Sequence, residues 1–398
     1  MDNGRPPDNV VRRTDATRTD APPAAAARPD LREAAALRDR HFGAVLTWSP
    51  KVFLPLTRLC RNRCDYCSFR RNPRDPGAHT MTPDELEAQL EQASAAGCVE
   101  ALLCLGDEPE TAYPSYRRLL AGWGFDSTVD YLAHAAERAL AHGLLPHTNA
   151  GVLSRCQMRQ LRPLNVSLGL MLESVADRLC APGMPHHRAP DKRPARRIAM
   201  HTEAGELKIP FTTGLLIGLG ETWQERVDTV AEIRRQHERH GHIQEVIIQN
   251  LRAHPQTAMA AAPEPLPVDV AETVAMARLM LPTEISVQAP PNLNPGAIEL
   301  LIDAGINDFG GISAVTPDFI NPLHPWPHIE ELRERCATKG FALRPRLPVY
   351  ERYLDGAAGD DWLDDRLTRP VQAVRHRQKD AQKDAQGTPL ERHVADRY

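Results

Sequence analysis

Leu56-Thr57-Arg58-Leu59-Cys60-Arg61-Asn62-Arg63-Cys64-Asp65-Tyr66-Cys67 holds three thiols within eight residues, directly after an apolar run, Val52–Leu56, that reads as a strand. Thiolates this close in sequence can wrap one metal centre. A cubane cluster has four irons, so three cysteines leave one iron without a protein ligand. An open coordination position marks a reactive centre, by the logic that separates catalytic from structural zinc. Arg58, Arg61 and Arg63 would favour thiolate over thiol and offset the negative charge of a cluster. The competing reading is a zinc knuckle. It lacks a good fourth ligand: Cys98 and Cys104 fall at a helix end and in a strand, and His79 falls in a loop. Cys98, Cys104, Cys156, Cys180 and Cys336 lack the spacing and read as core or surface residues.

Outward from this stretch, short apolar runs alternate with amphipathic segments. Eight candidate strands follow: Val52–Leu56, Ala101–Leu105, Leu144–His147, Asn165–Met171, Ile209–Gly218, Ile243–Gln249, Glu284–Gln288 and Ile306–Ile312. Eight helical patterns lie between and after them, from Pro83–Ala96 to His328–Lys339. In the first, Thr82, Pro83 and Glu85 supply an N-cap, a proline at N1 and a capping box, and Gly97 stands where a C-terminal cap belongs. Strict alternation predicts a parallel sheet covered by helices. Eight units predict a closed (β/α)8 TIM-type barrel over residues 46–350, although a doubly wound sheet shares the pattern. In a barrel the chemistry gathers on loops after the strand C-termini, where the cysteines fall.

Residues 1–45 are rich in Pro, Ala, Arg and Asp and read as a disordered lead-in with one helix over Leu31–His41. Residues 351–398 read as a charged tail, frayed or a solvated helix, with Asp360, Asp361, Asp364, Asp365, Lys379 and Lys383. Net charge is −4 with signs interspersed, which excludes a polyanion-binding composition. No apolar run reaches membrane-spanning length, and Met1–Asp30 lacks the apolar core of a secretory signal. The expectation is a cytoplasmic protein, where eight cysteines are ligands or core residues rather than disulfides.

The C-x-x-x-C-x-x-C spacing after strand one of such a barrel resembles the radical S-adenosylmethionine (SAM) superfamily. The resemblance implies a 4Fe–4S cluster on Cys60, Cys64 and Cys67. It also implies S-adenosyl-L-methionine chelated to the open iron, and a 5′-deoxyadenosyl radical after one-electron cleavage. It places Tyr66 beside the adenine, and the turn Gly106-Asp107-Glu108-Pro109-Glu110 as the glycine-rich element that binds the methionine amino group. Glu173, at the end of strand four, can accept from ribose hydroxyls or the ammonium. Arg197 is placed to pair with the methionine carboxylate, with Arg196 competing for that role. Gly218 and Gly220, after strand five, let the backbone approach a flat ring. A surface ion pair for Glu173 and Arg197, and plain turn chemistry for the glycines, remain the alternatives.

Longer stretches are similar to the CofG family, one of the two radical subunits of deazariboflavin synthase. They include Gly124-Phe125-Asp126-Ser127-Thr128, Pro182-Gly183-Met184-Pro185-His186-His187, Gly241-His242-Ile243-Gln244-Glu245-Val246, Gln288-Ala289-Pro290-Pro291-Asn292-Leu293 and Gly305-Ile306-Asn307-Asp308-Phe309-Gly310-Gly311. The likeness runs from about Leu46 to Tyr350. It implies hydrogen abstraction from a hydroxybenzyl-ribityl-diaminouracil adduct, then cyclisation with ammonia loss to 7,8-didemethyl-8-hydroxy-5-deazariboflavin. A separate CofH-type subunit would supply the adduct, and a flavodoxin or ferredoxin the electron. Gln249-Asn250, Gln288 to Leu293 and Asn307 to Ser313 read as polar strand tips facing one mouth. No motif marks the residue that handles protons; Asp107, His147 and His187 are the candidates. Alternative readings are a related radical barrel of menaquinone or hydrogenase-cofactor synthesis, and a non-catalytic metal-binding partner subunit.

Overall fold

The structure, a computed structural model, describes residues 27–357, 359 and 361–387. Eight parallel strands form it: β1 (Val45–Leu54), β2 (Glu100–Cys104), β3 (Leu145–Asn149), β4 (Ser167–Gly169), β5 (Phe211–Ile217), β6 (Ile243–Asn250), β7 (Ser286–Gln288) and β8 (Asp308–Ile312). They run in chain order, β8 pairs with β1, and β1 pairs with β2, so the sheet closes on itself. This is the (β/α)8 barrel, and the doubly wound alternative falls. All seven residues of β5 are buried, as expected of a parallel strand with helices outside and side chains inside. The helix Pro83–Ala95 carries the Thr82 capping box and Pro83 at its first turn.

The first strand begins seven residues before the apolar run that announced it. Its extra half alternates: Leu46 and Trp48 pack outward in the wall, while Thr47 and Ser49 bond to Asp308 and Glu100 inside. An apolar run cannot reveal a strand whose inner face is polar.

A ninth strand, β9 (Ala342–Pro345), pairs in parallel with Val45–Trp48 of β1 and leads a plug across the barrel floor. Pro348 O accepts from Ser167 Oγ (2.7 Å) and Gln244 Nε2 (3.1 Å). Arg346 pairs with Asp308 (2.6 Å) and Glu245 (3.1 Å). Chemistry is therefore confined to the opposite, C-terminal end. Asn307 and Asp308 belong to this floor, because they open β8 rather than close it. Asn307 Oδ1 accepts from Val287 N–H (2.9 Å), so the expectation that both line the mouth is corrected.

The ends of the chain are docked where they are described. The helix Leu31–Phe42 buries Ala34 and Arg38, whose guanidinium donates to Ile302 O (3.0 Å) and Ile306 O (2.6 Å). The helix Asp365–Gly387 buries Leu367, Val371 and Val374 against Val99, Leu145 and Val166. A solvated or frayed tail does not describe residues 362–374. Residues 1–26, read as disordered, lie outside the described residues, as does the side chain of Lys383.

Candidate active site

The cysteine loop leaves β1 at Leu54 and is tied off at its neck. Met81 N–H donates to Leu56 O (2.9 Å), Arg58 N–H to His79 O (3.0 Å) and Arg71 N–H to Arg58 O (2.9 Å). Further out the loop is pinned by other βα loops. Arg61 N–H donates to Asp107 O (3.0 Å), Arg63 N–H to Arg188 O (2.9 Å), and Asp65 N–H to Pro185 O (3.0 Å). Cys64 and Cys67 face each other across a tight turn, Cys67 N–H to Cys64 O at 3.2 Å.

Gly106 sets how closely the β2 loop approaches this one. A Cβ there would stand 2.3 Å from Cys60 Cβ and 2.5 Å from Leu59 O, so only glycine fits. The next amide, Asp107 N–H, points at Cys60 Sγ (3.2 Å). The Asp107 carboxylate turns away from the mouth, accepting from Asn62 Nδ2 (2.6 Å) and Val152 N–H (2.7 Å). It knits three loops together. Glu108 sits in left-handed backbone (φ +36) and pairs with Arg61.

Two of the charged residues beside the thiols, Asp191 and Lys192, were left unnamed by the sequence reading. Asp191, fully buried, accepts from Arg61 Nε (2.7 Å) and pairs with Arg196 (3.0 Å). Arg61 is thereby committed to Asp191 and Glu108 and does not serve the thiols directly. Burial pushes the Cys60 and Cys64 thiols up. Lys192, and more weakly Arg197, counter this at Cys64. Lys192 pairs with Glu173, and Arg197 lies 3.7 Å from the same carboxylate. Burial alone would raise the Glu173 carboxyl, but these two cations hold it below its ordinary value. Glu173 has φ +67, a strained backbone that aims its side chain inward. The two arginines separate cleanly: Arg197 is buried and donates to Asp191 O (2.9 Å), whereas Arg196 is 43% exposed.

Tyr66 packs on an apolar patch of Ala176, Leu179, Leu216 and Leu219, with its hydroxyl 3.1 Å from His186 Nε2. Gly218 and Gly220 both have φ +95 at the end of β5. The buried Glu221 carboxylate accepts from Gly218 N–H (2.9 Å) and Leu219 N–H (2.8 Å) and is held by Arg226 (2.8 Å). Of the proton-handling candidates, His147 alone lies inside the barrel. Its Nδ1 is 2.6 Å from Ser167 Oγ, and burial lowers its pKa to about 4. His187 is exposed on a loop, 3.9 Å from Asp65.

Among the described residues no three His, Cys, Asp or Glu side chains converge tightly enough for a single metal ion. Cys64 and Cys67 each nonetheless raise the pKa of Cys60 through space, so all three thiols share one region. A cubane takes one thiolate per iron, so its cysteines stand further apart than the ligands of one ion. The donor set fits such a cluster.

A closed barrel with three thiols on its first loop defines a radical enzyme, and residues 54–233 match the Radical SAM superfamily. The chain is 49% identical to the 7,8-didemethyl-8-hydroxy-5-deazariboflavin synthase of Methanopyrus kandleri, over 78% of this chain and 93% of that protein. It is 44% identical to the synthase of the same name from Methanothermobacter thermautotrophicus, over 78% and 93%. The chain belongs to the 7,8-didemethyl-8-hydroxy-5-deazariboflavin synthase family. It is also 44% identical to the FO synthase of Nocardia farcinica over 86% of this chain, but it spans only 41% of that longer protein. Among solved structures, the hydrogenase maturase HydG matches with TM-score 0.67 at 14% identity, over 91% of this chain and 87% of that one. Methylornithine synthase PylB matches with TM-score 0.60 at 17% identity, over 79% and 88%. These two share the fold. The cofactors are a 4Fe–4S cluster and S-adenosyl-L-methionine, as in the superfamily.

The run Pro190-Asp191-Lys192-Arg193-Pro194 was the missed signal: a buried carboxylate and an acid-binding cation between prolines, ahead of Arg197. Asn62 carried no signal, since a lone Asn in a loop has no pattern; His186 stood in a stretch quoted for likeness and Glu221 beside a helix start, but neither place in the sequence says what its side chain bonds to.

Proposed function

We propose that this chain is the radical SAM lyase subunit that closes a hydroxybenzyl-ribityl-diaminouracil adduct, with ammonia loss, to 7,8-didemethyl-8-hydroxy-5-deazariboflavin. The observation that carries the reading is the fit of Gly106 against Cys60 beside the Lys192–Glu173–Arg197 group. A glycine-tight contact positions the thiol loop, and buried charges of both signs stand beside it. In this reading Cys60, Cys64 and Cys67 each hold an iron of the cluster. When bound with SAM, the cluster supplies a 5′-deoxyadenosyl radical. Arg197 and Lys192 orient the methionine carboxylate, Glu173 accepts from its ammonium or a ribose hydroxyl, and the Gly106–Glu108 turn borders the amino group. Tyr66 and its apolar patch, with the Gly218 and Gly220 backbone, flank the adenine. Asp107 is a positioning residue.

The substrate reading draws on buried amides at the ends of β6 and β7. Asn250 Nδ2, Gln288 Oε1 and Asn292 Oδ1 have no partner among the described residues. An unpaired buried amide costs about 1–3 kcal/mol, which a ligand with complementary amide and hydroxyl groups would recover. Uracil and ribityl groups have that chemistry. The longer FO synthase relatives support a separate CofH-type partner that makes the adduct. Incubating the reconstituted protein with that adduct, SAM and a reductant tests the reading. Fluorescent deazaflavin and released ammonia are expected; 5′-deoxyadenosine without deazaflavin would overturn the assigned product.

A further inference from the structure

Alternate residues in the C-terminal halves of two barrel strands are only half-buried. On β2, Ala101 and Leu103 pack outward, while the inward Leu102 and Cys104 keep accessible surface. On β6, Val246 and Ile248 pack outward, and the inward Ile247 and Gln249 keep it too. A space therefore opens inside the barrel above the floor that Arg346, Asp308 and Glu245 close.

Two side chains enter this space over β8 from opposite sides. Val52 and Leu54 of β1 pack outward, so Lys51 faces inward, on the same side of the strand as Ser49. Its chain crosses Gly311: a Cβ there would stand 2.2 Å from Lys51 Cδ and 2.8 Å from Nζ. Gln288 of β7 crosses Gly310, where a Cβ would stand 1.7 Å from Nε2 and 3.0 Å from Oε1. Two adjacent glycines thus let a cation and an amide share the inner face of one strand.

Neither head group is satisfied. Lys51 is 8% exposed, and among the described residues its Nζ has neither a carboxylate within ion-pair distance nor a hydrogen-bond acceptor. It meets only ring faces, Trp326 at 4.8 Å and Phe53 at 5.7 Å. Gln288 is 6% exposed, and its Oε1 has no partner among the described residues. Withdrawing such groups from water costs free energy that a ligand with matching groups returns. The pair offers a donor at Nζ, an acceptor at Oε1 and a donor at Nε2. A carboxylate or phosphate would answer Lys51 but oppose Oε1. A single hydroxyl would leave one of the three unmet. A flat edge of carbonyl, N–H and carbonyl answers all three, and the imide of a uracil ring is such an edge.

We propose that Lys51 and Gln288 form the subsite that reads the imide edge of the substrate's uracil ring. Lys51 donates to one ring carbonyl, and the Gln288 amide pairs with the ring N–H and the second carbonyl. This subsite rests on the product reading above and adds to it the cation and the ring edge that set specificity.

Calorimetry on anaerobic holoenzyme with SAM and no reductant measures binding without turnover. The titrants are the adduct, its form methylated on the imide nitrogen, and its form lacking the phenol hydroxyl. Wild type is expected to bind the methylated form about tenfold or more weakly than the adduct. Lys51→Met should weaken adduct binding by about tenfold or more. Its urea midpoint should not fall, because an unpaired buried charge is removed. Gln288→Met should weaken adduct binding and lose the discrimination against the methylated form. Wild-type affinity in Lys51→Met, a lowered midpoint in that variant, or full discrimination in Gln288→Met would overturn the subsite. So would a penalty for the missing phenol hydroxyl that wild type shows and Lys51→Met does not, since it would place Lys51 at the phenol. Wild type that cleaves SAM on reduction but binds none of the three would overturn the product reading and the subsite with it.

Discussion

Replacing Gly106 by alanine would place a methyl group 2.3 Å from Cys60 Cβ, 2.5 Å from Leu59 O and 2.9 Å from Cys60 Cα. All three of those atoms are backbone or bonded directly to it, so no side-chain rotation relieves the clash. One loop must move. Overpacking of this kind costs about 1–3 kcal/mol. Loss of the Asp107 N–H to Cys60 Sγ contact adds about 1 kcal/mol. The total is below the 5–15 kcal/mol or so that stabilises a typical domain, so the barrel should still fold. The displaced thiol, however, no longer meets its iron. The assay is iron and sulfide per chain after anaerobic reconstitution, read beside circular dichroism. Gly106→Ala should retain the barrel's spectrum but bind well under half the wild-type iron. Gly122→Ala, where a Cβ meets nothing within 4 Å, should match wild type. Full iron content and normal SAM cleavage in Gly106→Ala would refute the reasoning.

Lys192→Met should leave the buried Glu173 carboxylate with Arg197 alone at 3.7 Å, lowering stability by about 3 kcal/mol and raising KM for SAM by about tenfold or more; an unchanged KM would remove Lys192 from the site. Stability should fall as pH drops from about 6.5 towards 4. Burial holds His147 and His201 down to about 4 and His186 to about 3. The unfolded chain binds those protons first, so each contributes a loss of about 1.4 kcal/mol per pH unit at full slope. Glu245, which burial raises to about 8, binds its proton first in the folded state. It opposes the trend and offsets roughly one histidine. Urea midpoints at pH 7 and pH 5 check the sign, and a midpoint that rises on acidification would contradict it. Leu367→Ala, fully buried in the C-terminal helix, should cost about 2–4 kcal/mol in denaturant melts; a change near zero would show that the tail is not part of the fold.

The barrel was legible because its helices announce themselves. Thr82-Pro83-Asp84-Glu85 form the capping box that the spacing predicts, Thr222 with Glu225 form another, and the strands between are apolar on their outer faces. What faces inward was less legible. Thr47 and Ser49 hide half of β1 because they bond across the barrel to partners far away in sequence. Asn307 and Asp308 looked like mouth residues because a strand's polar end gives no direction in sequence alone. The C-terminal helix was masked by charge, although Leu367, Val371 and Val374 recur at helical spacing and are buried. In the candidate site, the cysteine spacing, Gly106 and Arg197 stood out by spacing and position. Asp107 stood out too, but only the fold brings Asn62 and Val152 to its carboxylate. Lys192 and Asp191 were missed because their partners lie on other loops.

The claim underlying the whole account is that one iron of the cluster is left free for SAM. Electron paramagnetic resonance of the reduced, reconstituted protein, recorded with and without SAM, tests it most directly. The account predicts a cubane signal that shifts when SAM is added and that disappears in Cys64→Ala. A signal indifferent to SAM, or one that survives loss of Cys64, would contradict it.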